Sequence, residues 1–170
     1  MTARQPGPRS GGSLEYRHDE ATLKGLLEEH CRRMNTGDVE HMLDLYTEDI
    51  YAEDPVGSPP MIGHDALRAH FSRAAESSTY DMPGTPVAAQ DGRHAAIPVS
   101  VQMTYLPLGP TLVRHGALQA PARPRHTLLT LEVVGVIRAS VDARIEALWI
   151  YWGRSDVGLI DASAGLRLRR

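Results

Sequence analysis

The sequence predicts an α+β domain in which three N-terminal helices pack on a curved antiparallel sheet, and three observations lead there. Apolar residues recur at helical spacing between residues 19 and 75. From residue 86 to 152 they fall instead into strand-like runs rich in Val, Ile, Leu and aromatic residues. Short turns carrying Gly, Asp or Ser separate those runs, so helices come first and a sheet second.

Taken in order, Asp19 caps a helix whose inward residues are Leu23, Leu26, Leu27, His30, Cys31 and Met34, ending at Gly37. Asp38 caps a second helix with Val39, Met42, Leu43 and Tyr46 on one face, followed by a short strand from Ile50 to Glu53. Asp54 closes that strand, and as the residue before a proline it is expected to be extended. A third helix is expected from His64 to Ala75, buried through Leu67, Phe71 and Ala74. Strands are expected near Pro86–Gln90, His94–Leu106, Arg125–Arg138 and Arg144–Trp152, with an irregular Pro/Gly-bearing connection from Pro107 to Pro124.

Length and composition narrow the functions available. The 170 residues suit one domain, assigned to 18–160, between a disordered tail over 1–17 and a basic tail over 161–170 that carries Arg167, Arg169 and Arg170. A net charge of −3 argues against a nucleic-acid partner. No apolar run approaches the ~18 residues of a membrane span and no signal-peptide core is visible, so no membrane association is expected. Cys31, the single cysteine, excludes an internal disulfide, points to the cytoplasm, and reads as an inert core thiol. Nucleotide-binding, zinc-enzyme and serine-hydrolase motifs are missing, so neither metal nor cofactor is expected, and carboxylate chemistry remains.

The stretch from Gly37 through Leu45-Tyr46-Thr47-Glu48-Asp49 to Glu53-Asp54-Pro55-Val56-Gly57 aligns without a gap with the ketosteroid isomerases and resembles that family. The resemblance implies the cone-shaped NTF2-like fold of the SnoaL-like group, with Asp54 as general base. In ketosteroid isomerase, a worked case for this chemistry, a tyrosine and a protonated aspartate form the oxyanion hole. His30 and Gly135 stand at those positions here, so both donors are missing and steroid isomerisation is disfavoured. Glu29-His30-Cys31-Arg32-Arg33-Met34-Asn35, Gly63-His64-Asp65-Ala66-Leu67-Arg68-Ala69-His70, Tyr105-Leu106-Pro107-Leu108-Gly109-Pro110 and Tyr151-Trp152-Gly153-Arg154-Ser155-Asp156 look more like the epoxide-opening cyclases of polyether ionophore biosynthesis.

That second resemblance implies an aspartate base paired with a second acid, which falls on Asp81 where the relatives usually carry glutamate. Opening an epoxide with an internal hydroxyl needs both a base for the hydroxyl proton and an acid for the epoxide oxygen. Tyr80-Asp81-Met82-Pro83-Gly84 reads equally well as a surface turn, so the residues themselves leave Asp81 between two roles. His30, Tyr46, Phe71, Tyr105, Gly135, Trp149 and Trp152 are the candidate pocket wall, and His30 is expected to orient Asp54 or a substrate oxygen. Glu53 is expected on the opposite face of its strand in a structural role.

The expected activity is cyclic-ether formation on a small-molecule polyketide substrate. The alternatives are pyran formation by dehydration of an allylic alcohol and a non-catalytic small-molecule-binding or assembly subunit. The resemblance also implies a homodimer, and the basic tail suggests contact with a sister cyclase or a carrier protein.

Overall fold

The computed structural model describes residues 17–164. Most of the expected tail over 1–17 and the arginines of the basic tail lie outside the described residues. Helix α1 (Glu20–Met34) starts where Asp19 accepts a 2.7 Å hydrogen bond from the Thr22 amide, and it buries Leu23, Leu26, Leu27, His30 and Cys31. Asp38 caps α2 (Val39–Leu43) in the same way through the His41 amide. The chain then runs through β1 (Tyr46–Glu53), β2 (Met61–Ile62), α3 (Gly63–Glu76), β3 (Tyr80–Pro83), β4 (Val87–Ala88) and β5 (His94–Thr104). It continues through α4 (Gly109–Arg114), β6 (Thr127–Ala139), β7 (Ile145–Tyr151) and β8 (Val157–Asp161).

The strands form one sheet in the order β2-β1-β7-β6-β5-β3, with β4 beside β5 and β8 beside β6. Long antiparallel pairing of β5 with β6, from His94↔Arg138 to Thr104↔Leu128, is its spine. The expectation of an antiparallel sheet is corrected at one seam, because β1 runs parallel to β7. That seam also explains why α2 is shorter than its periodicity suggested. Tyr46 pairs with Ile145, and the Ile145 amide bonds the Leu45 carbonyl at 2.8 Å, so strand pairing captures Tyr46 from the helix.

Besides the two-residue β2, three elements differ from expectation. The connection over 107–124 contains α4, which tolerates Pro110 because a proline in the first helical turn costs no helix hydrogen bond. Asp81 belongs to β3, paired with Val101, rather than to a turn. Strand β8 extends to Asp161, one residue into the segment assigned to the basic tail.

Two apolar clusters result. The larger joins Leu23, Leu27, Leu67 and Phe71 of the helices to Ile50, Ile97, Ile137 and Ile145 of the sheet. The smaller gathers Met103, Tyr105, Leu112, Leu129 and Leu131, with Trp152 and Val157 packed against it. Alpha-helix α4 closes this second cluster, and its Gly109 lies so close to Tyr105 that a Cβ there would stand 2.2 Å from the ring. Gly109→Ala should therefore displace the ring and destabilise the fold by about 1–3 kcal/mol. Urea denaturation checks this, and an unchanged midpoint would mean that α4 does not seal the cluster.

Candidate active site

Asp54 sits one residue beyond β1, at the end where the parallel seam with β7 finishes. A ring nitrogen lies against each oxygen of its carboxylate. Trp152 Nε1 donates to Oδ1 at 2.8 Å, and His70 Nε2 lies 3.1 Å from Oδ2. The Trp152 hydrogen bond and the His70 contact together restrict its orientation. Asp54 keeps 23% of its side-chain surface exposed, so it remains reachable from solvent or by a substrate.

Asp81 has the opposite environment. It is only 6% exposed, on a strand covered by α1. Burial pushes its carboxyl up to about 7, the Asp54 charge adds to the rise, and a hydrogen bond from Cys31 opposes it. Asn35, the C-cap of α1, holds this residue by its backbone: its Oδ1 accepts from the Asp81 amide at 2.6 Å, and its Nδ2 donates to the Asp81 carbonyl at 2.8 Å. The turn reading is therefore replaced by a clamped, buried acid.

Cys31 is more than an inert filler. Burial, with the neighbouring Asp81 charge, pushes its thiol up to about 12, so it stays protonated and serves Asp81 as a hydrogen-bond donor. Next to it on α1, His30 is held neutral. Burial lowers its imidazole to about 4, with Asp54 opposing and His70 reinforcing the shift. His30 Nδ1 shares a short hydrogen bond with the Tyr46 hydroxyl. Burial holds the Tyr46 phenol well above its ordinary value, so it stays neutral. His30 does not bond Asp54 directly but lies within electrostatic reach of it.

The remaining candidates divide between the two faces of the sheet. Phe71 packs against Tyr46, His70 and His30, with ring centroids 5.7, 5.8 and 6.3 Å apart, and forms the apolar wall between them. Gly135 is buried between Ile97 and Ile150, where a Cβ would meet Ile150 at 3.4 Å. Tyr105 is sealed in the second cluster and reaches the site only through the packing of Trp152.

Trp149 is a correction. It stacks on His94, packs against the tilted Tyr51 ring and lies under the Arg138 guanidinium, on the face that Asp54 does not share. The reason is strand parity: Trp149 pairs with Glu53, whereas Trp152 lies beyond the strand on the side of Leu148 and Ile150. Glu53 is structural as expected, accepting from the Tyr51 hydroxyl at 2.6 Å and the Gly57 amide at 2.8 Å.

Reasoning from the sequence missed Asn35 and His70 as parts of the site. For His70 the signal was present, since it lies three residues after Leu67 and beside Phe71 on the inward stripe of α3. Among the described residues no group of three or more His, Cys, Asp or Glu side chains is arranged to hold a metal ion. An open groove of about 350 Å³ lined by Leu106, Arg123, Pro124, Arg125 and His126 contains neither acid.

This arrangement defines a class before it suggests an activity: a helix-covered mixed sheet holding one exposed and one buried carboxyl group, the geometry of acid–base chemistry without a covalent nucleophile. The SnoaL-like domain family matches residues 27–147, and the chain belongs to that family, with its NTF2-like fold. The chain is 48% identical over 148 residues to the epoxide hydrolase LasB of Streptomyces lasalocidi, covering 86% of this chain and 52% of that protein. It thus spans about half the length of the curated relative it matches. A solved structure of SalBIII, described as an epoxide hydrolase/cyclase-like enzyme in pyran ring formation in the polyether salinomycin, superposes with a TM-score of 0.69. That match has 26% identity and covers 82% of this chain and 97% of the other. No described helix is long and apolar enough to cross a membrane.

The raised Asp81 carboxyl links stability to pH. The folded chain keeps this proton to about pH 7, whereas the unfolded chain releases it near the ordinary value of 3.8, so the folded state binds more protons between the two. Stability falls as pH rises through that window. Asp81→Asn has no such proton to lose, so its stability relative to the wild type should increase from about pH 4 to about pH 7 and then level. Denaturant midpoints for both proteins at mildly acid and mildly alkaline pH measure the change, and a constant gap would contradict a buried, protonated Asp81.

Proposed function

We propose that this chain is an ether-ring-forming cyclase that opens an epoxide on a polyether precursor with an internal hydroxyl. The observation that carries the reading is the division between two neighbouring carboxyl groups: Asp54 partly exposed, with the Trp152 N–H on one oxygen and the His70 ring against the other, and Asp81 buried and raised to about 7. The names borne by LasB and SalBIII support the same class of reaction. The buried, reduced Cys31 fits a cytoplasmic location.

Asp54 takes the proton of the attacking hydroxyl as its oxygen bonds to an epoxide carbon. The epoxide C–O bond breaks, and Asp81 delivers its proton to the departing oxygen. The product is an isomer of the substrate, because no water enters and none leaves. Asp54 then holds a proton and Asp81 a charge, and proton exchange through solvent restores the starting pair. The neutral His30 imidazole stands in place of the tyrosine that the steroid isomerases use there, and with Nε2 protonated it offers a further donor to an oxygen that gains negative charge. Apolar walls such as Phe71 keep water from competing for the epoxide and favour ring closure.

A second reading draws on the pyran-forming role given for SalBIII: dehydrative closure, in which Asp81 protonates a departing allylic hydroxyl and Asp54 again serves as base. Both readings need an ionisable Asp54, which a binding subunit does not.

A bis-epoxide with a free chain hydroxyl, incubated with the wild type and Asp54→Asn and resolved by ring size, separates these readings. Cyclic ether from the wild type, with about 10²–10⁴-fold less from the variant, is the expected result. Equal conversion by both would sink Asp54 as the base, and no conversion by either would favour the dehydrative or binding reading. Activity should also fall as pH rises through about 7, where Asp81 ionises and ceases to be an acid. A rate that stays flat across that range would remove Asp81 from the mechanism.

A further inference from the structure

Trp152 and His70 hold Asp54 between them, but they differ in kind. Trp152 approaches from the end of β7 and is anchored in the second apolar cluster, so its indole is set by packing. His70 comes from α3, and its Nε2 lies 3.1 Å from Asp54 Oδ2 in an ion-pair contact. Its ring leans on Phe71 with centroids 5.8 Å apart, and Phe71 is in turn packed into the core beside Tyr46. The side chain retains 24% exposure, so it is neither buried as core nor free as surface.

Asp54 follows the last residue of β1 and begins a loop, so the strand ladder does not fix its side chain. A single donor would leave the carboxylate free to turn about its bond to Trp152. A second donor, on the opposite oxygen, defines such a carboxylate's plane and aims the remaining lone pairs, and the His70 ring stands at that oxygen. The titratable groups facing His70 from other elements are Asp54, from the end of β1, and the neutral His30 on α1.

We propose that His70 is a positioning residue for Asp54: its Nε2–H fixes the plane of the base and couples the base to α3, without touching the reacting atoms itself. This inference rests on the reading of Asp54 as the base and adds a determinant that neither family resemblance supplied. An orienting donor acts on the chemical step more than on substrate binding, so its loss should lower kcat and leave KM nearly unchanged.

Three variants test it on the epoxide substrate: His70→Leu, which removes the donor; His70→Asn, whose amide stops short; and His70→Gln, whose amide reaches the Nε2 position. The expected result is a kcat lowered about tenfold or more in the Leu and Asn variants, with KM within about threefold of the wild type. His70→Gln should restore kcat to within about threefold. If His70→Leu fails to fold, the Gln and Asn pair still decides, because a merely structural tie would not distinguish the two amides by kcat. Equal kcat in Gln and Asn, or an unimpaired Leu variant, would overturn the proposal. Should these results arise while Asp54→Asn is inactive, the base stands and only the role of His70 falls; activity in Asp54→Asn would instead remove the base reading itself.

Discussion

The burial of one carboxyl group beside another organises this site. Asp81 lies under α1 on β3, and its proton is held there because ionisation would place a second charge near Asp54 in a medium that solvates it poorly. Everything around it manages that cost. Asn35 satisfies the backbone of Asp81, Cys31 gives its carboxyl a weak donor, and Trp152 donates to Asp54 while His70 lies in ion-pair contact with its other oxygen.

The other buried polar groups follow the same logic. His30 and Tyr46 satisfy each other within the apolar layer between helices and sheet, and both are held neutral by burial. A neutral pair costs less to bury than an ion pair. Where the steroid isomerases are expected to carry a tyrosine and a protonated aspartate, this chain has His30 on α1 and Gly135 on β6, and its buried acid is Asp81 on β3.

The second apolar cluster supports Asp54 from behind through Trp152. Tyr105, packed under Gly109 of α4, contributes no polar group to the acid pair, yet it belongs to the platform that carries Trp152. Strand parity places Trp149 on the far side of the sheet, where stacking with His94 and Arg138 makes a surface feature of what the aromatic pattern offered as pocket lining.

Periodicity and caps determined α1, α3 and the long strands β5, β6 and β7 from the sequence alone, because each is a local pattern that the backbone obeys wherever it folds. Asp54 was legible for the same reason, standing at a strand end before a proline within a recognisable run. Tertiary structure decided the rest. Pairing across the parallel seam drew Tyr46 out of a helix, packing against Tyr105 made a helix of Gly109–Arg114, and pairing with β5 turned an apparent surface turn into the strand that buries Asp81. A carboxyl group becomes an acid near neutral pH only through its surroundings, and those surroundings come from α1 and β1, separated from Asp81 along the chain and joined to it only by folding.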